Sequence, residues 1–114
     1  MAHKHAEPGE VMDLNTFGED QTTALVKEKA FEAIRVVLKP GRPFPPHRVD
    51  GPITVQCLSG ICTFFVDEEP RKLHPGSWLY LQGGQLHALE AEEACTLLVT
   101  ILFVKSNDSL ESNS

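Results

Sequence analysis

Histidine and cysteine are the residue types in this sequence with the widest chemical scope. Imidazole ligates transition metals and exchanges a proton near neutral pH, and the sequence holds five histidines. The three cysteines, Cys57, Cys62 and Cys95, include no C-x-x-C pair, so they indicate neither a zinc finger nor a disulfide framework. Catalytic triads, phosphate-binding loops and paired carboxylates are missing from the sequence. Function therefore depends on where the fold places the imidazoles.

The charge of the chain excludes several classes of partner. Sixteen acidic and ten basic residues give a formal net charge of −6. Binding to nucleic acid or to an anionic membrane surface requires a positively charged protein surface, so we expect neither partner. No apolar run reaches a membrane span, and the N-terminus has no apolar region typical of a secretory signal. We expect a cytoplasmic protein whose partner is a small molecule or another protein.

Short strands separated by glycine and proline turns must position these side chains. This rhythm is typical of a sandwich or barrel and not of alternating strands and helices. The pattern predicts strands over 23–26, 31–38, 53–58, 61–66, 71–73, 77–81, 85–91 and 94–104. The proline-rich segment 40–46 is predicted to be extended or turning.

The same pattern divides the chain into three parts. Residues 1–20 are polar and predict a flexible arm, residues 21–105 predict a β-domain, and residues 106–114 predict a disordered tail. One domain is what a chain of 114 residues accommodates.

Glycine and histidine recur at fixed spacing in the first half of this domain. The pattern is Gly41-x5-His47-x-Val49-x3-Ile53-x6-Gly60. Residues two apart on a strand point the same way, so this spacing can direct alternate side chains into one interior.

A second pattern follows after a short interval. It is Gly76-x5-Gln82-x-Gly84-x2-His87-x3-Ala91. Together, and in this order, the two patterns resemble the two motifs of the cupin family, G-x5-H-x-H-x3/4-E-x6-G and G-x5-P-x-G-x2-H-x3-N. The resemblance covers roughly residues 30 to 104 and implies an all-β fold, a double-stranded β-helix or jelly-roll barrel of the small bacterial, RmlC-like type.

The resemblance also implies a metal site, which this sequence keeps only in part. Metal-binding cupins use three histidines and one glutamate to hold one divalent ion, often iron, manganese, nickel or zinc. His47 and His87 match two of those positions, whereas Val49 and Ile53 stand at the other two. We expect both histidines to line the barrel pocket, with the metal absent or weakly bound. One bound divalent transition metal is the open alternative, with His47 and His87 among its ligands.

Other side chains are candidates for the same pocket. Cys57 is an even number of residues from Ile53, so both are expected to face inward on a regular strand. A thiolate beside two histidines would suit zinc or copper. Gln56 would reach the pocket only through a β-bulge. Arg35 could add an anion-binding group, or it could lie on the surface.

Cys57 also raises the question of a disulfide bond. A two-residue hairpin turn at Ser59-Gly60 would place Cys57 opposite Cys62, within reach of a strained disulfide. Reduced, buried thiols are the favoured form in a reducing compartment.

Three functional hypotheses follow. The first is a stand-alone cupin that binds a small organic ligand in its barrel; the second is a metal-dependent enzyme, an oxygenase or isomerase-like cupin. The third is a sensor module that acts through a partner protein. Aromatic and apolar residues exceed what one small interior needs, so we also expect a homodimer. These residues are Phe31, Phe64, Phe65, Trp78 and Phe103.

Overall fold

A computed structural model describes residues 5–18 and 20–103 of the chain. Residues 1–4 of the predicted arm and the whole predicted tail, 106–114, lie outside the described residues. The described part contains nine strands and no helix. They are β1 (Thr23–Lys27), β2 (Phe31–Leu38), β3 (Phe44–His47), β4 (Ile53–Ser59), β5 (Cys62–Val66), β6 (Glu69–Leu73), β7 (Trp78–Leu81), β8 (His87–Ala91) and β9 (Cys95–Leu102).

The strands form two antiparallel sheets. One has five strands in the order β1-β2-β9-β4-β7, and the other has four in the order β3-β8-β5-β6. Consecutive strands often lie in opposite sheets, as β4 and β5 do, so the chain repeatedly crosses between the layers. This arrangement is a jelly-roll barrel, and the all-β prediction is confirmed.

Alternation along the strands builds the interior. On β4, Ile53, Val55 and Cys57 are at most 3% exposed, whereas Gln56 between them is exposed. The facing strand β5 buries Cys62 and Phe64 in the same way. Burial of side chains from both sheets supplies the main driving force for folding.

The proline-rich segment supplies a strand that the sequence pattern did not specify. β3 carries Pro45 and Pro46 and lies at the edge of the four-stranded sheet. A proline has no N–H to donate, so an edge position, where one side of the strand lacks a neighbour, tolerates it. His47, the last residue of β3, is thereby placed directly opposite His87 of β8.

The chain does not form a hairpin at Ser59-Gly60. β4 pairs with β7 and β9, while β5 pairs with β6 and β8, so this turn carries the chain from one sheet to the other. Gly60 has φ of 79°, and a Cβ there would lie 2.1 Å from the carbonyl oxygen of Ala94. Cys57 and Cys62 therefore face each other across the interior and not along a ladder, and both are free thiols.

The described part of the arm contains no strand or helix, yet it is hydrogen-bonded to the barrel. Arg35 donates from Nε to the carbonyl oxygen of Leu14 at 2.6 Å and from Nη2 to that of Asn15 at 3.4 Å. The Ala6 amide donates to the carbonyl oxygen of Leu25 at 2.7 Å. The arm thus covers part of the outer face of the five-stranded sheet.

Helices long and apolar enough to cross a membrane do not occur in the described part of the chain.

Candidate functional site

The interior of the barrel is not filled at one end. A cavity of about 120 Å³ lies there between the two sheets. Aliphatic and aromatic side chains form most of its wall, and two imidazoles complete it. The lining residues are Ile34, Val36, Phe44, His47, Val49, Ile53, Phe64, His87, Leu89, Val99 and Ile101.

His47 and His87 come together at this cavity. Their ring centroids are 4.2 Å apart and their planes are inclined at 62°, an edge-to-face contact. His87 is only 4% exposed, whereas His47 is exposed to solvent at the rim. One imidazole therefore belongs to the cavity wall and the other to its mouth.

Backbone carbonyls hold both rings by the same nitrogen. Nδ1 of His47 lies 3.0 Å from the carbonyl oxygen of Pro45, and Nδ1 of His87 lies 3.0 Å from that of Gln85. A carbonyl oxygen only accepts hydrogen bonds, so each Nδ1 carries the proton and donates it. The Nε2 lone pair of each neutral ring is consequently free of this anchoring bond.

Packing against Phe64 holds the His87 ring in place, and burial changes its pKa. Its ring stacks on Phe64, with centroids 5.6 Å apart and planes 12° from parallel. Burial lowers the pKa of His87 below its ordinary 6.5, the hydrogen bond to Gln85 opposes this, and the charge of His47 lowers it further. Burial in the cavity wall therefore favours the neutral form of His87.

Hydrogen bonds between two loops shape the mouth. The Gly84 amide donates to the carbonyl oxygen of Val49 at 2.7 Å, and Arg48 donates from Nη1 to the carbonyl oxygen of Gly84 at 3.1 Å. Gly84 precedes His87, and Val49 follows His47, so these bonds join the segments that carry the two imidazoles.

The structure brings four of the six predicted pocket residues to this cavity. They are His47, His87, Val49 and Ile53. Phe44, Phe64 and Leu89 line the cavity as well, although sequence reasoning did not select them. Their inward parity could have identified Phe64 and Leu89, whereas Phe44 required knowledge that the proline-rich segment pairs with β8.

Cys57 is the first correction to the predicted pocket. It faces inward, as its parity with Ile53 predicts, but it does not line the cavity. Cys57 lies four positions after Ile53, so the two residues are about 13 Å apart along β4. Cys57 instead lies at the opposite end of the interior, where its thiol interacts with that of Cys95.

Arg35 is the second correction. It is 4% exposed, but its guanidinium binds the carbonyl oxygens of Leu14 and Asn15 in the arm. Its neighbours on β2, Ile34 and Val36, are the residues that line the cavity. Arg35 therefore points to the other face of the sheet and offers no anion-binding group inside the barrel.

The residues at the cavity do not fit the metal site of metal-binding cupins. Two imidazoles face aliphatic Val49 and Ile53, while a catalytic centre normally has three protein ligands. Gln56, the other candidate ligand, is exposed on the outer face. Among the described residues, no three or more His, Cys, Asp or Glu side chains are grouped so that they could hold a metal ion.

A wider depression lies outside the barrel, on the four-stranded sheet. Its volume is about 260 Å³, and it is bordered by Pro46, Phe65, Glu68, Leu86, His87 and Ala88. It borders His87 from the outside and does not include His47, so the interior cavity is the better candidate site.

Comparison with known proteins agrees with this architecture. A family model described as Cupin domain matches residues 34–101. The chain belongs to the cupin family. The match spans both histidines and nearly all of the strands that line the cavity. Among curated proteins, no match was found.

Several solved structures have the same fold. A conserved protein of unknown function from Streptococcus pyogenes is 25% identical, with a TM-score of 0.76 over 93% of this chain and 97% of that one. A cupin superfamily protein from Desulfitobacterium hafniense is 17% identical, with a TM-score of 0.69 over 73% of this chain and 76% of that one. The cupin domain of an XRE family transcriptional regulator from Enterobacter cloacae is 21% identical, with a TM-score of 0.65 over 74% of this chain and 96% of that one.

Proposed function

We propose that this cupin binds a small organic molecule in the interior cavity, without a tightly bound metal. The observation that carries the proposal is the cavity itself, a void of about 120 Å³ with an apolar wall and two imidazoles at one end. Binding sites commonly combine an apolar wall with a few polar groups that fix the orientation of the ligand.

The packing of the rest of the barrel supports this proposal. Protein interiors are close-packed, and voids larger than a water molecule are few. The opposite end of this interior obeys that rule, since Cys57, Cys62 and Leu97 are at most 1% exposed there. An unfilled space at the end that carries the histidines is therefore a feature to be explained, and a ligand would fill it.

A fragment screen by protein NMR tests the proposal. We expect compact apolar fragments to shift the amide signals of residues such as Val49 and Leu89. Val49→Phe should abolish these shifts because its ring would occupy the cavity. Glu90→Gln, at an exposed position on β8, should leave them unchanged. A screen without any fragment that shifts the cavity signals would contradict the proposal.

The metal-dependent enzyme is tested separately, by elemental analysis of protein purified without an affinity tag. We expect well below one equivalent of iron, manganese, nickel or zinc per chain, because two imidazoles hold a divalent ion weakly. One equivalent of metal, lost in His87→Ala, would support the enzyme and contradict our proposal.

A sensor role would use the same cavity. Its support is limited to fold similarity with the domain of the transcriptional regulator from Enterobacter cloacae. A pull-down in the presence of a bound fragment tests it, and recovery of this chain alone would count against it.

A further inference from the structure

We infer the chemical class of the ligand, and this inference rests on the proposed function. It is a neutral, compact molecule with an apolar body of about one six-membered ring, and it donates a hydrogen bond from a hydroxyl or N–H group to imidazole. Three features of the site lead to this class: which ring nitrogens are occupied, which charges line the wall, and how large the space is.

The anchoring of the imidazoles determines the direction of the hydrogen bond. Both Nδ1 atoms donate their protons to the carbonyl oxygens of Pro45 and Gln85. A neutral imidazole has a single N–H, so Nε2 of His47 and Nε2 of His87 can only accept. A ligand that meets these nitrogens must therefore bring the donor.

The lining of the cavity excludes charged ligands. Among the residues that the structure describes, no Lys, Arg, Asp or Glu side chain lines it. Arg35, the one buried Lys or Arg side chain among the described residues, is bound to the arm on the other face of β2. Burial also lowers the pKa of His87, so imidazolium is disfavoured as a partner for a carboxylate or phosphate. Burial of an anion without a partner would cost several kcal/mol.

The volume limits the apolar body. An apolar protein cavity of about 150 Å³ accommodates benzene. The present cavity, about 120 Å³, is of similar size and opens toward His47. A single six-membered ring or a shorter branched chain fits, with its polar group directed at the rim.

Three matched probes test this class: phenol, toluene and benzoate, titrated at pH 8 and followed by NMR shifts of the cavity residues. They share a ring and differ in the group attached to it. We expect phenol to bind about fivefold to tenfold more tightly than toluene, the effect of one net hydrogen bond. Benzoate should bind more weakly than both.

Variants locate the hydrogen bond. His47→Phe removes the acceptor at the exposed rim, and His87→Phe removes the one in the cavity wall while keeping an aromatic ring against Phe64. Phenol and toluene should bind equally well in the variant that lacks the accepting Nε2. Glu90→Gln should retain the preference for phenol. A preference for phenol that persists in both histidine variants would overturn the inference.

The remaining outcomes separate the inference from the proposed function. If toluene binds as tightly as phenol, or benzoate binds best, the cavity binds ligands but the class is wrong. If no probe shifts any cavity signal and the fragment screen is also empty, the proposed function fails, and the inference fails with it.

Discussion

The two ends of the barrel interior share strands β4, β5 and β9 but differ in packing and chemistry. At the cavity end, His47 and His87 meet beside an open space of about 120 Å³. At the thiol end, which comprises Cys57, Cys62 and Cys95, the side chains are at most 1% exposed and closely packed. An inward direction on a strand therefore does not define a site, because the position along the strand decides which end the side chain reaches.

Electrostatics differ between the ends as well. Burial raises the pKa of the Cys57 thiol to about 11, and the neighbouring Cys95 contributes to this shift. The hydrogen bond from Cys95 to Cys62 raises the pKa of Cys95. The same hydrogen bond lowers the pKa of Cys62. The three thiols are closed off from solvent, whereas the His47 ring lies at the open rim of the cavity.

Thiol reactivity is the measurement with the largest expected effect. We expect Ellman's reagent at pH 8 to modify the three cysteines more than about a thousandfold more slowly in the native protein than in denaturant. The thiols are buried, so reaction requires the barrel to open. Ser59→Cys, at an exposed position on β4, should add one rapidly reacting thiol. Rapid modification of the native wild type would show that the thiol end is not closed.

Enlarging one side chain at each end compares their packing directly. Cys62→Phe, at a thiol-end position with 0% exposure, should reduce the free energy of unfolding by about 3 kcal/mol because the core there has no room for the ring. Val49→Phe should cost less than about 1 kcal/mol, since its ring enters the cavity. Urea denaturation measures both values, and equal losses would contradict the difference in packing.

Acid should weaken the cavity end selectively. The pKa of His87 is lower in the folded state than its ordinary 6.5, so the unfolded chain binds this proton more readily. Its contribution to stability is present above pH 6.5 and is lost as the pH falls through the folded-state value. The titratable groups that face His87 are His47, in ring contact, and Glu68, which borders the same outer depression.

Urea denaturation between pH 5 and pH 8 detects this contribution. The free energy of unfolding should fall less steeply with decreasing pH in His87→Phe than in the wild type. Identical pH profiles for the two proteins would show that His87 is not perturbed by folding.

Substitution of exposed aromatic residues on the outer face of β7 should have the smallest effect on the stability of the barrel. Trp78 and Tyr80 are 62% and 53% exposed on β7, an edge strand, so their joint replacement by serine should change monomer stability by less than about 0.5 kcal/mol per residue. The same variant tests the homodimer expected from the sequence. Light scattering should give twice 12.6 kDa for the wild type and 12.6 kDa for the variant, and a monomeric wild type would contradict that expectation.

Much of the fold could be predicted because strand alternation and turn residues are local signals. All eight predicted strand segments overlap an observed strand, namely β1, β2 and β4–β9. The exception, β3, contains two adjacent prolines, and only its edge position makes such a strand tolerable. The supposed hairpin at Ser59-Gly60 was wrong for a related reason: a short turn is compatible with either a hairpin or a crossover between sheets.

The candidate site was predictable where motif spacing applied. Spacing selected His47, His87, Val49 and Ile53, and all four line one cavity. Cys57 was assigned because it faces the same side of β4 as Ile53, but this does not report how far along the strand it lies. Arg35 was assigned by its residue type, which does not report that the arm covers its face of the sheet.

The sequence by itself determined eight of the nine described strands and their inward faces. It also placed two imidazoles at the motif positions beside aliphatic Val49 and Ile53. These properties follow from residue order, because side chains alternate along any strand. Only the tertiary structure decided that the histidine end stays open and that the thiol end closes. Those outcomes depend on how the two sheets pack, which brings together residues that are remote in the chain.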